Sequence, residues 1–496
     1  MHRRSFIIGG GAFLAASAVP SAARSATPPF AVHRPATIVS SAGRPVPPQQ
    51  REPFGWKTTT VSGGQQPPLV VAWPDLPAEV AVTHFRLAIG LDERDEKTVE
   101  VFLPRSGRTL GRMELFFVSQ FQIYELALTS EDVAAVRREG LALRLTRGSD
   151  LEIFTAGDGL PAALHPHLLA PGTADPTQEY FRRMASLACV QQFGWMEGCV
   201  LDGLLDLSAT PGHAALRDTA RQHLALFFRD GKLVYENHLS APSDGQLYGI
   251  EGGLPFAALA RLEPNSPLLD LAVDFWRSRQ RPSGSIQDGA HLSTEGAYTV
   301  GYALAEIARA RNSEELFRLA LDQVRIRQAT LFDGRELWRT RNDDGHRTNR
   351  NWARGIAWQF LGLARTLVVV RERDDVADLV NALRQLAAWT STMQRPDGLW
   401  SVFTDEPALT PDTAGSAGIA TALALGHKHG WLGSEARTAA ERTLSGLTRH
   451  LTADGLLGGV SQSNKGGEAL QRGSYRSIYQ MGMGLKAQLI AALAPV

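Results

Sequence analysis

Asp397-Gly398-Leu399-Trp400, followed by Asp405-Glu406 and then Asp412-Thr413-Ala414-Gly415-Ser416-Ala417, is the stretch on which the fold turns. A polar-faced amphipathic segment, Val376–Gln394, runs into the Asp-Gly turn, and a segment of small and apolar residues, Thr413–Leu425, leaves the polar loop behind it. A helix with one charged face belongs on an outer surface, whereas a helix apolar all round belongs in an interior. Asp before Gly supplies the left-handed residue that stops the first helix.

The same unit recurs on both sides. Its turns are Asp230-Gly231-Lys232-Leu233, Ser283-Gly284-Ser285-Ile286, Asp333-Gly334-Arg335-Glu336-Leu337-Trp338 and Asp454-Gly455-Leu456-Leu457. A period of roughly 50 to 65 residues, one helix pair per unit, indicates an array. Outer-type segments are Leu216–Phe228, Leu268–Arg279, Glu314–Leu331, Val376–Gln394 and Ala436–Leu451; inner-type segments are Glu251–Leu262, Thr294–Ala308, Trp352–Val369, Thr413–Leu425 and Tyr475–Ala492. A long apolar helix from Tyr180 to Leu207 stands in front of them. Six hairpins predict a mainly α chain closed into an (α/α)6 toroid over residues 171–496, with an open solenoid as the alternative.

Ahead of this array the pattern is different. Residues 76–170 hold β-like runs at Ala81–Ile89, Lys97–Leu103, Arg112–Ile123, Leu141–Thr146 and Leu151–Thr155, with one short helix at Glu131–Glu139, which predicts a small β-sandwich. Phe116, Phe117, Phe121 and Tyr124 are either its core or a sugar platform. Residues 27–75, rich in Pro, Ser and Gly, read as a linker or a peripheral strand wrap. Residues 1–26 read as a signal peptide, with Arg3-Arg4, an uncharged stretch and small residues at the exit. The arginine pair points to the twin-arginine route and hence to a periplasmic or secreted protein. About fourteen uncharged residues are too few to span a bilayer, which needs about 20.

Composition narrows the partners. Lys plus Arg and Asp plus Glu both number 51, so no global field favours nucleic acid, and no stable membrane association is expected. Cys189 and Cys199, placed about 15 Å apart if one helix carries both, are read as core thiols. No metal-ligand spacing or dinucleotide fingerprint is present, so neither a metal nor a cofactor is expected.

In a closed ring every turn feeds a loop at the same end, so chemistry is expected just before the inner helices. Those loops hold Glu236, Asn237, His238, Asp244, Tyr248 and Glu251; then Gln287, Asp288, His291 and Glu295. Next come Trp338, Arg339, His346, Trp352, Arg354 and Trp358, then Asp412, and finally Gln462, Asn464, Lys465, Tyr475 and Tyr479. Carboxyl groups beside tryptophans and arginines at one rim describe an acidic-sugar site: rings stack on Trp, Arg grips a carboxylate, and a carboxyl group moves a proton.

Asn351-Trp352-Ala353-Arg354-Gly355-Ile356-Ala357-Trp358 resembles the W-x-R-G-x-x-W signature of the unsaturated glucuronyl and rhamnogalacturonyl hydrolases, glycoside hydrolase families 88 and 105. The Gly398-Leu399-Trp400 turn with Asp412 to Ala417, and Gly482-Met483-Gly484, are similar to later stretches of that family. The resemblance implies that an acid protonates C4 of a 4,5-unsaturated uronic acid and that water adds at C5. It also places Glu295 at the family's catalytic Asp-Gly segment, with Trp352 and Trp358 against the sugar and Arg354 on its carboxylate or hydroxyls. The chain departs from that pattern in carrying Glu for Asp, Thr340 or Arg341 where a histidine is expected, and an additional β-region.

The catalytic candidates are therefore Glu295, Asp288 and Asp412. The substrate-binding candidates are Trp352, Arg354, Trp358, His346, His291, Glu251 and Tyr475. The expected activity is a glycoside hydrolase removing a terminal uronic acid from an acidic oligosaccharide. The alternatives are an exo-uronidase with two carboxylates, a lyase using Asn237 or His238 with Tyr475 or Tyr479, and a non-catalytic sugar-binding protein.

Overall fold

A computed structural model describes residues 28–495; the expected signal peptide lies outside the described residues. The chain is mainly helical with a β-rich N-terminal part. A five-stranded antiparallel sheet runs in the order Thr37–Ser40, Leu69–Ala72, Leu141–Arg147, Glu96–Phe102, Thr109–Phe116. A four-stranded sheet runs Val32–Pro35, His167–Ala170, His84–Ala88, Ile123–Ala127. Phe85, Leu87, Val99, Val101 and Leu143 pack into one apolar core with Ile153 from a further strand. The short helix forms at Ser130–Glu139, where Thr129 and Asp132 make a reciprocal capping box.

Residues 28–75, expected as a linker or a peripheral strand wrap, hold regular strands. They supply four strands, among them Val32–Pro35 against His167–Ala170 and Lys57–Val61 against Leu151–Ala156. These strands are only four or five residues long and their partners lie far along the chain, so periodicity alone does not reveal them. Phe121, stacked on Phe154, and Tyr124 are buried. Those aromatics are core, not an open sugar platform.

The expected long helix Tyr180–Leu207 is also broken. Pro176–Met184 and Trp195–Ser208 are separate helices, with Gly194 between them at φ 119°. A Cβ there would sit 2.5 Å from the Tyr248 hydroxyl, so the close approach requires glycine. The two cysteines are free and buried, on separate elements.

Among the described residues, outer and inner helices alternate from Pro176–Met184 onward. The inner helices are Trp195–Ser208, Pro255–Leu262, Ala303–Arg311 (extended at its start by a π-helical turn, Ala297–Tyr302), Ala353–Val369, Thr413–Lys428 and Met481–Leu493. Each packs on the next, and the last packs back on the first, so the circuit is complete. Tight approach at that seam depends on small residues: a Cβ on Gly203 would come within 2.5 Å of the Gly484 carbonyl oxygen. The turn glycines Gly231, Gly284, Gly334, Gly398 and Gly455 all have φ between 70° and 92°, as the repeated turns require.

The β-rich part is fastened to the last helical hairpin. Buried Arg86 donates from Nη1 to both Asp454 oxygens at 2.8 Å, and His33 Nε2 lies 2.8 Å from Asp454 Oδ2. Gln480 Nε2 donates to the Phe121 carbonyl at 2.7 Å.

Candidate active site

A cavity of about 190 Å³ opens where the loops before the inner helices meet the β-rich part. Glu251, Glu295, Trp352, Arg354 and Trp358 line it together. A neighbouring, more open cleft shares Glu251 and is lined by Asp288, His291 and Arg339.

Glu295 follows the strand His291–Ser293, which pairs with Trp338–Asn342, itself paired with Arg347–Arg350. This small sheet, formed where the sequence suggested only a polar loop, places Arg339 Nε 2.6 Å from Glu295 Oε1. Arg339 and Glu295 thereby form a close charge-assisted pair. Glu251 stands in a short 3₁₀ turn, Ile250–Gly253. Burial, and then the negative charge of Glu295, push its carboxyl up to about 7.

Asp288 accepts from the Ile250 amide at 3.0 Å, the residue before Glu251. Burial raises its pKa. It braces the turn that carries Glu251, and its carboxyl faces the second cleft.

Arg354 is 1% exposed at the start of its inner helix. Its Nη2 donates to Ser461 Oγ at 3.0 Å and to the Gln462 carbonyl, and its Nε lies 3.2 Å from Asp412 Oδ2. The guanidinium lies 4.8 Å above the centre of the Trp352 ring, whose Nε1 donates to Gln471 Oε1 at 3.2 Å. Trp358 stacks on Tyr298 at 6.2 Å and meets Trp195 edge-on at 5.5 Å, so most of its ring is packing and only an edge reaches the cavity.

Three expectations are corrected. Asp412 is fully buried and does not line the cavity; it caps the helix Thr413–Lys428 by accepting from the Ala414 amide and balances Arg354, so it cannot touch a substrate. His346 is exposed on the tip of the hairpin, its amide bonded to Asp344, and lines neither cleft. Tyr475 lies against the β-rich part, donating to the Glu114 carbonyl at 3.0 Å with its ring on Phe116, because the segment Tyr475–Gln480 is not helical.

Other residues enter the cavity: Arg94 and Ser119 from the β-rich part, Trp195 and Met196 from the first inner helix, and His238, Asn464, Lys465 and Tyr479. Burial, with Arg94 and Lys465 nearby, holds the His238 imidazole down to about 4. The only local signal for Trp195 is the glycine before it, and Arg94 sits in a polar loop with none.

Residues 293–495 match the family Glycosyl Hydrolase Family 88. The chain is a distant relative of that family. It carries a glycoside hydrolase domain and is an enzyme of this kind. Solved structures share its fold. One from Salmonella enterica serovar Paratyphi A, described as a possible member of the GH105 family, is 16% identical with a TM-score of 0.55, covering 64% of this chain and 92% of that one. A second possible GH105 member, from Klebsiella pneumoniae, is 16% identical with a TM-score of 0.54, covering 64% and 91%. A family 105 glycoside hydrolase from C. acetobutylicum is 18% identical with a TM-score of 0.54, covering 64% and 99%. No curated protein matches the chain. The family 88 match takes in Glu295, Trp352, Arg354 and Trp358, while Glu251, Trp195 and Arg94 lie before it.

Proposed function

We propose that the circuit of hairpins is an (α/α)6 toroid and that the cavity removes a terminal 4,5-unsaturated uronic acid from an acidic oligosaccharide. The observation that carries this reading is the pair of unlike acids, Glu251 near 7 and Glu295 bound to Arg339, facing one cavity lined by tryptophans and arginines. The likeness of the Trp352–Trp358 segment to families 88 and 105 supports the substrate class. By this reading the β-sandwich takes in the strands before residue 76 together with residues 76–170, the catalytic toroid spans residues 171–496, and the twin-arginine segment exports the folded enzyme.

Glu251, protonated near neutrality, gives its proton to C4 of the vinyl ether, leaving positive charge shared between C5 and the ring oxygen. Glu295 takes a proton from the water that adds at C5. The resulting hemiketal opens to a ketone and an aldehyde and releases the remaining sugar as an alcohol. Glu251 replaces Glu295 as the acid, because its carboxyl is the one pushed up to about 7, while the carboxyl of Glu295 is engaged by Arg339. A lyase reading is weakened by Tyr479, whose phenol is pushed further up by burial, away from the range of a general base.

The test is optical. Hydration removes the ultraviolet absorbance of the conjugated double bond, a lyase creates it, and an ordinary glycosidase leaves it unchanged. Loss of absorbance with an unsaturated glucuronyl disaccharide, abolished in Glu251→Gln and Glu295→Gln, supports the reading; an increase or no change overturns it.

A further inference from the structure

Among the described cations at the cavity, Arg94 is the one with no carboxylate at ion-pair distance. Arg339 is bonded to Glu295, and Arg354 is set against Asp412. Arg94 makes one bond, from Nη2 to the His238 carbonyl at 2.8 Å, and a guanidinium has five donors. Lys465 reaches Asp92 Oδ1 only at 3.4 Å and Ser119 Oγ only at 3.5 Å.

Arg94 belongs to the β-rich part, in the loop joining strands His84–Ala88 and Glu96–Phe102. That loop is held rigidly in the cavity wall. Buried Asp92 accepts from Gln192 Nε2 at 2.6 Å, just before the first inner helix, and its amide donates to Ser240 Oγ at 2.8 Å. The β-rich part thus brings an exposed cation, with most of its donors free of protein partners, to the cavity that Glu251 and Glu295 also line.

We propose that the β-rich part completes the active site and sets its specificity: Arg94, with Lys465 beside it, holds the carboxylate of the sugar that enters the cavity. This rests on the acidic-sugar reading above. A planar fork meeting a carboxylate side-on fixes the ring's orientation as well as its charge, which a lone ammonium does not. Orientation matters because C4 must face Glu251.

Tryptophan fluorescence supplies a readout separate from turnover, since Trp195, Trp352 and Trp358 line the cavity. D-Glucuronate and D-glucose are titrated into the full-length wild type, Arg94→Ala and Arg94→Lys. A charge-assisted bond worth about 1.5–3 kcal/mol predicts that Arg94→Ala weakens glucuronate by about ten- to a hundredfold. Glucose is unaffected, and Arg94→Lys falls between. Arg94→Gln substitutes if the alanine variant does not fold. If wild type prefers glucuronate and Arg94→Ala keeps that preference, the role of Arg94 is overturned while the acidic-sugar reading stands. If wild type shows no preference, the acidic-sugar reading itself fails.

Discussion

Arg339 Nε donates to Glu295 Oε1 at 2.6 Å, and the same guanidinium opposes the upward shift of Glu251. One cation therefore binds Glu295 and acts on the charge of Glu251. Arg339→Met removes that opposition, so the Glu251 pKa rises above about 7 and the alkaline limb of kcat/KM moves to higher pH. A pH profile with an unsaturated uronide checks this; an unmoved limb assigns the acid elsewhere.

Glu251 also makes stability depend on pH. Its folded value, about 7, exceeds its ordinary value of 4.5, so the folded chain retains a proton that the unfolded chain releases. Stability contributed by this group is present below pH 4.5 and lost as pH rises through 7. Glu251→Gln should melt higher than wild type by about 2–4 °C at pH 8 and no higher at pH 4, while losing activity by more than about a hundredfold. Thermal melts at the two pH values, paired with rates, decide it.

Asp412 has no place in the cavity but a large effect on it. Removing it leaves Arg354 buried without its counter-ion, a loss of about 3–5 kcal/mol, and its helix cap contributes about 1 kcal/mol more. Urea unfolding of Asp412→Ala should show this drop, and Arg354→Met added to it should restore part.

The tryptophans divide by burial. Trp358→Ala empties a site between Tyr298 and Trp195 and should cost about 3–5 kcal/mol of stability. Trp195, half-buried at the cavity, should lose less stability on truncation while raising KM about tenfold, as expected for one stacking face. Equal effects on KM and stability in both variants would contradict that division.

His346→Ala should leave both kcat/KM and stability within experimental error, about 0.5 kcal/mol, because the ring is exposed and away from both clefts. A tenfold loss of kcat/KM would return His346 to the site.

How much could be read beforehand follows the range of the interactions. The alternating helices were legible because Asp397-Gly398 and its counterparts stop helices locally, through backbone angles that glycine adopts freely. The strands near Val32 and Lys57 were not, because their partners, Ala170 and Phe154 among others, lie about ninety or more residues away. Trp352, Arg354 and Glu295 announced themselves through residue type and spacing. Arg94 did not, since only the docking of the β-rich part on the last hairpin brings it to the cavity. Asp412 carried both a capping pattern and an acid's chemistry, and burial decided for the former.

The meeting of Gly203 with Gly484 links residues near opposite ends of the helical sequence. During synthesis the first inner helix is made long before the one that shields it, and until then its apolar wall, including Cys199 and Val200, faces outward. The nascent chain is consequently a sticky, incomplete trough, exposed to aggregation or to capture by a chaperone until the helix Met481–Leu493 packs into the gap.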